Sequence, residues 1–134
     1  WAISTSFGPH TQQQWLELSK PMLRSLPDGG LTLHYDPAIA VPFRALTQEA
    51  AAAGESVLWQ LYDQIQAQTL LLRGAQSDLL SRETAQAMQA RGPKAHCVEF
   101  EGVGHAPTLI AADQVAVVQN FLLAAPVAES ALAG

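Results

Sequence analysis

The clearest hydrophobic periodicity in the chain lies between residues 68 and 108. Residues 69–73, TLLLR, are a short apolar run ended by Gly74, the pattern of a strand covered on both faces. Ser81 reads as the N-cap of a helix over residues 82–91. Gly92 stands at its C′ position, and Pro93 blocks continuation. Residues 94–100 read as a second strand, with Gly102 and Gly104 punctuating the loop that follows. A strand, a helix and a strand in this space form one βαβ unit, which is right-handed and parallel in nearly all proteins. Loops at the carboxyl ends of parallel strands carry the chemistry of such sheets. Asp78 follows the first strand and His105 the second, so both are expected on one edge of the sheet.

Upstream, residues 1–8 read as a loop or a frayed helix end. Thr11 and Gln14 match a capping box. The helix it opens carries Trp15, Leu18, Met22 and Leu26 on one stripe, with a kink or break expected at Pro21. Residues 27–30, PDGG, signal a turn, and 31–35 alternate as a short half-buried strand or extended arm. Residues 36–43, with Pro37 and Pro42, read as an extended connector. Residues 44–53 favour a helix closed by Gly54, and Ser56 caps a second helix through about Ile65. Near the end, residues 112–124 form a helix with Val115, Val118, Phe121 and Leu122 inward. Pro126 ends it, and 127–134 read as a tail. The pattern divides the chain into a helical segment, 1–54, and an α/β segment, 55–134.

His105 lies between glycine-containing turns and Pro107, which places it on a loop rather than in a core. A catalytic histidine presents one ring nitrogen to a nucleophile while a carboxylate holds the other. Asp78, one βαβ unit earlier, is placed to be that carboxylate. Ser77 beside it reads as a turn residue or a hydrogen-bond partner of the carboxylate. Cys97, inside the second strand, reads as a small core residue. His10, His34 and His96 show no ligand spacing, and neither H-E-x-x-H nor C-x-x-C occurs. No metal and no cofactor is therefore expected.

At these residues the chain resembles the C-terminal half of an α/β-hydrolase. LLLRGAQSD and GVGHAP look like the sites of the triad acid and histidine, and their order, acid before histidine, matches the family's Ser, Asp, His. The resemblance runs from about Phe7 to Leu123, because residues 1–54 resemble the end of a helical cap. It implies two parallel strands with flanking helices plus that cap segment. It also implies Asp78 and His105 as catalytic residues of an esterase-like enzyme acting on a small-molecule substrate. The aromatics read first as packing the cap on the sheet; as the resemblance implies, Phe7, Phe43 and Trp59 would instead line a substrate pocket. The family's elbow, G-x-S-x-G, is absent from these residues, as is an HGGG-type oxyanion motif. The nucleophile and oxyanion donors are expected from a missing N-terminal half, and an aspartate nucleophile stays open beside serine. By itself the Asp78–His105 pair lacks a nucleophile to activate, so the 134-residue chain alone is expected to be inactive.

Composition narrows the partners. The 134 residues are 49% hydrophobic and 14% charged, with a net charge of −5. That is globular, and it argues against binding nucleic-acid phosphates. No run approaches the ~18 apolar residues of a membrane span. No signal peptide is visible, so a cytoplasmic location is expected. The start at Trp1 rather than Met suggests processing, truncation or a fragment. A rival reading is a non-enzymatic fragment or interaction module. Two strands leave a sheet edge unpaired, which the missing half, a homo-oligomer or a swapped element would cover.

Overall fold

In the computed structural model, which describes residues 4–124, the parallel βαβ unit is present with the expected hand-over of elements. Strand β3 (Leu70–Gly74) is followed by helix α5 (Arg82–Ala90) and strand β4 (His96–Phe100). The two strands are parallel, in a register that sets Arg73 opposite Glu99 and Gly74 opposite Phe100. Ser81 caps α5 by accepting the Thr84 N–H at 3.0 Å. Gly92 and Lys94 both take positive φ, 55° and 50°, so the chain turns sharply there and β4 starts at His96 rather than at 94. Helix α5 lies on the face that carries Cys97 and Glu99, with Ala85 buried between.

Before this unit come helix α1 (Ser4–Phe7) and helix α2 (Gln12–Ser19). The capping box at α2 is formed in both directions. Thr11 Oγ1 accepts the Gln14 N–H at 3.3 Å, and Gln14 Oε1 accepts the Thr11 N–H at 2.8 Å. The helix does not continue to Leu26. Pro21 has no N–H to donate, and Lys20–Met22 tighten into a 3-10 turn. Strand β1 (Leu23–Ser25) then pairs antiparallel with β2 (Leu31–Leu33) across the 27–30 turn. The expected helical stripe through Met22 and Leu26 is thus broken, because pairing of Leu23–Ser25 with Leu31–Leu33 outweighs the local helical preference.

Two further expectations are corrected. The connector at 36–43 is helical rather than extended: a 3-10 turn (Pro37–Ala40) leads into helix α3 (Val41–Arg44). Asp36 accepts the Ala38 N–H at 2.8 Å, and both prolines sit at helix starts, where a fixed φ helps rather than hinders. Nor is there a break at Gly54. Helix α4 runs Gln48–Asp63 without interruption, capped by Thr47 rather than Ser56. One interior glycine costs only about 1 kcal/mol, less than starting a second helix would. Helix α4 packs on α5 through a cluster at their C-terminal ends. The Tyr62 hydroxyl donates to the Met88 carbonyl at 2.7 Å, and Arg91 pairs with Asp63 while its guanidinium lies 4.5 Å above the Trp59 ring.

Helix α6 (Ala112–Leu123) follows. Val115, Val118 and Phe121 are half-buried, but Leu122 is exposed and Gln114 is the buried residue of this helix. The expected stop at Pro126 and the tail at 127–134 lie outside the described residues. So does Trp1. Among the described residues the hydrophobic core is small, namely Ala85, Ala95, Phe100 and Val103, and many large apolar side chains on α4 and α6 are exposed. β3 pairs with β4 alone among those residues, so the architecture is that of a partial α/β domain. No helix among them is long and apolar enough to cross a membrane.

Candidate active site

The carboxyl ends of β3 and β4 open into two loops that are laced together by backbone. The Ala75 N–H donates to the Phe100 carbonyl at 2.9 Å, and the Gln76 N–H donates to the Val103 carbonyl at 3.0 Å. Gly74, at the end of β3, makes this contact sterically open. A Cβ there would overlap the carbonyl oxygens of Gly104 and Val103. The loop bearing Asp78 and the loop bearing His105 therefore leave the same edge of the sheet side by side. Both residues are exposed, and among the described residues no hydrogen bond joins them. The structure thus sets the two loops side by side.

The Asp78 loop is braced from within. Ser77 Oγ accepts the Leu80 N–H at 3.1 Å, the turn role expected of it. Arg73, buried at the end of β3, donates from Nε to the Leu80 carbonyl at 2.8 Å and from Nη1 to the Ala75 carbonyl at 3.3 Å. Its charge is met by Glu99 across the register, and Glu99 also accepts from Arg82 at 2.8 Å. A buried guanidinium requires such pairing. Sequence reading passed over Arg73. The signal was one cation closing an otherwise apolar strand run.

The His105 loop is braced from the N-terminal segment. Gly8, at φ 86°, lies against Gly102 and Val103. His10 Nδ1–H donates to the Gly8 carbonyl at 2.9 Å, leaving Nε2 to accept the Thr108 hydroxyl at 2.7 Å in the neutral ring. The imidazole also packs on Trp15, with ring centroids 4.5 Å apart. Leu109 is held at φ 58° by Gln114, whose buried side-chain oxygen accepts the Leu109 N–H at 2.9 Å. His10 and Gln114 were not anticipated: His10 meets a partner 98 residues away, and Gln114 reaches back 5 residues to a backbone N–H.

The expected pocket aromatics separate. Phe7 is half-buried and lines two small cavities near the His105 loop, one with His10 and Gln114, the other with Trp15 and Thr108. Phe43 is 70% exposed on α3. Trp59 lines a different cleft between α4 and α5, with Leu58, Tyr62 and Met88. Cys97 is half-buried beneath α5, and burial, with Glu99 adding to it, pushes its thiol pKa up. No cluster of three His, Cys, Asp or Glu side chains forms among the described residues.

Comparison with known proteins supplies the class. A solved hydrolase from Rickettsia typhi superposes with a TM-score of 0.71 at 24% identity, covering 90% of this chain and 38% of that one. An α/β hydrolase from Novosphingobium aromaticivorans superposes with a TM-score of 0.61 at 31% identity, over 84% of this chain and 39% of that one. The chain has the α/β-hydrolase fold and corresponds to its C-terminal part. In sequence it is 49% identical over 126 residues to the 3-hydroxybutyrate-oligomer hydrolase of Cupriavidus necator, a match covering 92% of this chain. The chain spans 43% of the length of that relative. No family model matches it.

Proposed function

We propose that this chain contributes the acid and the base of a serine-type triad to a complete hydrolase. Asp78 orients His105 and stabilises its imidazolium. His105 takes the proton of a serine hydroxyl as the oxygen attacks an ester carbonyl. It then returns that proton to the departing alkoxide as the C–O bond breaks. Water repeats the cycle on the acyl-enzyme. The serine and the oxyanion N–H donors come from polypeptide outside these residues, packed on the edge of β3 that has no partner among the described residues and on the exposed apolar face of α4. Residues 1–54 act as the end of a cap, with Phe7 its contribution nearest the His105 loop.

The observation that carries this reading is the lacing of the Asp78 and His105 loops at one sheet edge, through Ala75–Phe100 and Gln76–Val103. The relative at 49% identity supports one substrate class for this reading: short esters of a hydroxy acid, of the kind named in 3-hydroxybutyrate oligomers. Such a substrate is a carboxylic ester with a hydroxy-acid leaving group, which suits general acid–base chemistry without a metal.

The test is turnover of a 3-hydroxybutyrate dimer by the complete protein and its variants. Asp78→Asn is expected to lower kcat by on the order of 10⁴ with the fold intact, because an amide favours the wrong histidine tautomer. His105→Ala should abolish the acyl-enzyme burst. The 134-residue chain alone should give neither burst nor saturation with p-nitrophenyl acetate. Near wild-type turnover in Asp78→Asn would refute the assignment of the acid.

A further inference from the structure

Among the described residues, Arg73 is the buried charged side chain, at 4% exposure. Its donors converge on the loop that carries Asp78. Nε reaches the Leu80 carbonyl at 2.8 Å, Nη1 the Ala75 carbonyl at 3.3 Å, and Nη2 lies 3.5 Å from the Ser77 carbonyl. These three carbonyls bracket Asp78 in sequence on both sides. The fork geometry of a guanidinium suits this, since its five N–H donors lie in one rigid plane. Glu99 holds the guanidinium from the neighbouring strand, at the position directly opposite in register. The arrangement fixes the loop backbone on either side of an acid whose own side chain is exposed.

We propose that Arg73 is a positioning residue for the triad acid: it sets the direction in which Asp78 presents its carboxylate to His105. The proposal rests on the triad reading above. Asp78 is on the loop of residues 75–81, between β3 and α5, with no helix or strand to hold it. A carboxylate on such a turn points usefully only if its flanking carbonyls are fixed. Arg73 fixes them from the end of β3, the rigid element to which the His105 loop is also laced. Displacing a catalytic group by about 1 Å from a distance costs on the order of 100-fold in rate, and that is the scale expected here.

A double-mutant cycle in the complete hydrolase tests this. Arg73→Gln is expected to lower kcat on the order of 100-fold with KM little changed, and Arg73→Lys to recover part of it, because one ammonium still reaches Glu99 and one carbonyl. The same substitutions made in Asp78→Asn are expected to cost little more, since the group they position is already disabled. Arg82→Gln, which breaks an exposed pair with the same Glu99, should leave turnover unchanged. If Arg73→Gln does not yield folded protein, the cycle is run with Arg73→Lys alone. Equal losses from the Arg73 substitution in both backgrounds, or no loss of kcat, overturn the proposal and leave Arg73 a structural residue. An Asp78→Asn variant at wild-type turnover overturns the triad reading instead, and the proposal with it.

Discussion

Gly74→Ala isolates the contact on which the site depends. Gly74 ends β3, and its φ lies outside the left-handed region, so alanine is acceptable to the backbone. The obstacle is space. The added methyl would overlap two backbone carbonyl oxygens, those of Val103 and Gly104, and neither can swing aside as a side-chain end could. Overpacking of this kind costs about 1–3 kcal/mol, occasionally more; with backbone on the receiving side the upper end applies. In a complete hydrolase that corresponds to a fall in Tm of about 6–12 °C. The same displacement loosens the bonds from Ala75 and Gln76 to Phe100 and Val103 and moves the two loops apart. A shift of about 1 Å then removes on the order of 100-fold in turnover. Gly102→Ala is the comparison. Gly102 has φ 73° with nothing within 4 Å of its missing Cβ, so its cost is conformational, about 1–2 kcal/mol, without direct overlap. Differential scanning calorimetry and steady-state kinetics on both variants decide the matter. A Gly74→Ala enzyme as stable and as active as wild type would refute the reasoning.

Two further outcomes follow from the electrostatics. Burial raises the Cys97 thiol above its ordinary pKa of 9.0, so reaction with Ellman's reagent at pH 8 should be slower than for glutathione and should accelerate on unfolding; a fast burst from folded protein would contradict this. The Asp63 carboxyl is held below its ordinary value of 3.8 by its hydrogen bond to Arg91. A depressed folded-state pKa contributes stability above 3.8 that is lost as pH falls through the lower value. Hydrogen exchange at the α4–α5 junction should therefore differ between wild type and Asp63→Asn near neutrality and converge in acid. A gap that persists in acid after the folded-state carboxyl has itself been protonated would show that the pair contributes by packing alone.

The βαβ unit was legible in the sequence because its signals are local. Leu70–Leu72 followed by Gly74, the Ser81 cap, and Gly92 with Pro93 each act within a few residues, and together they allow one topology. The placement of Asp78 and His105 at one edge follows from that topology and needs no tertiary detail. The Thr11–Gln14 box and the 27–30 turn were readable for the same reason. Elements whose fate depends on distant partners were not readable. Leu23–Ser25 is a strand because Leu31–Leu33 lies beside it, and residues 48–63 stay one helix because no partner requires a break at Gly54. The braces of the site are likewise tertiary. Arg73 meets Glu99 only once the strands are in register, and His10 reaches Thr108 across most of the chain. Local pattern brought the Asp78 and His105 loops to one edge, whereas the bonds that hold those two loops in place exist only in the folded chain, since they join groups that sequence distance keeps apart.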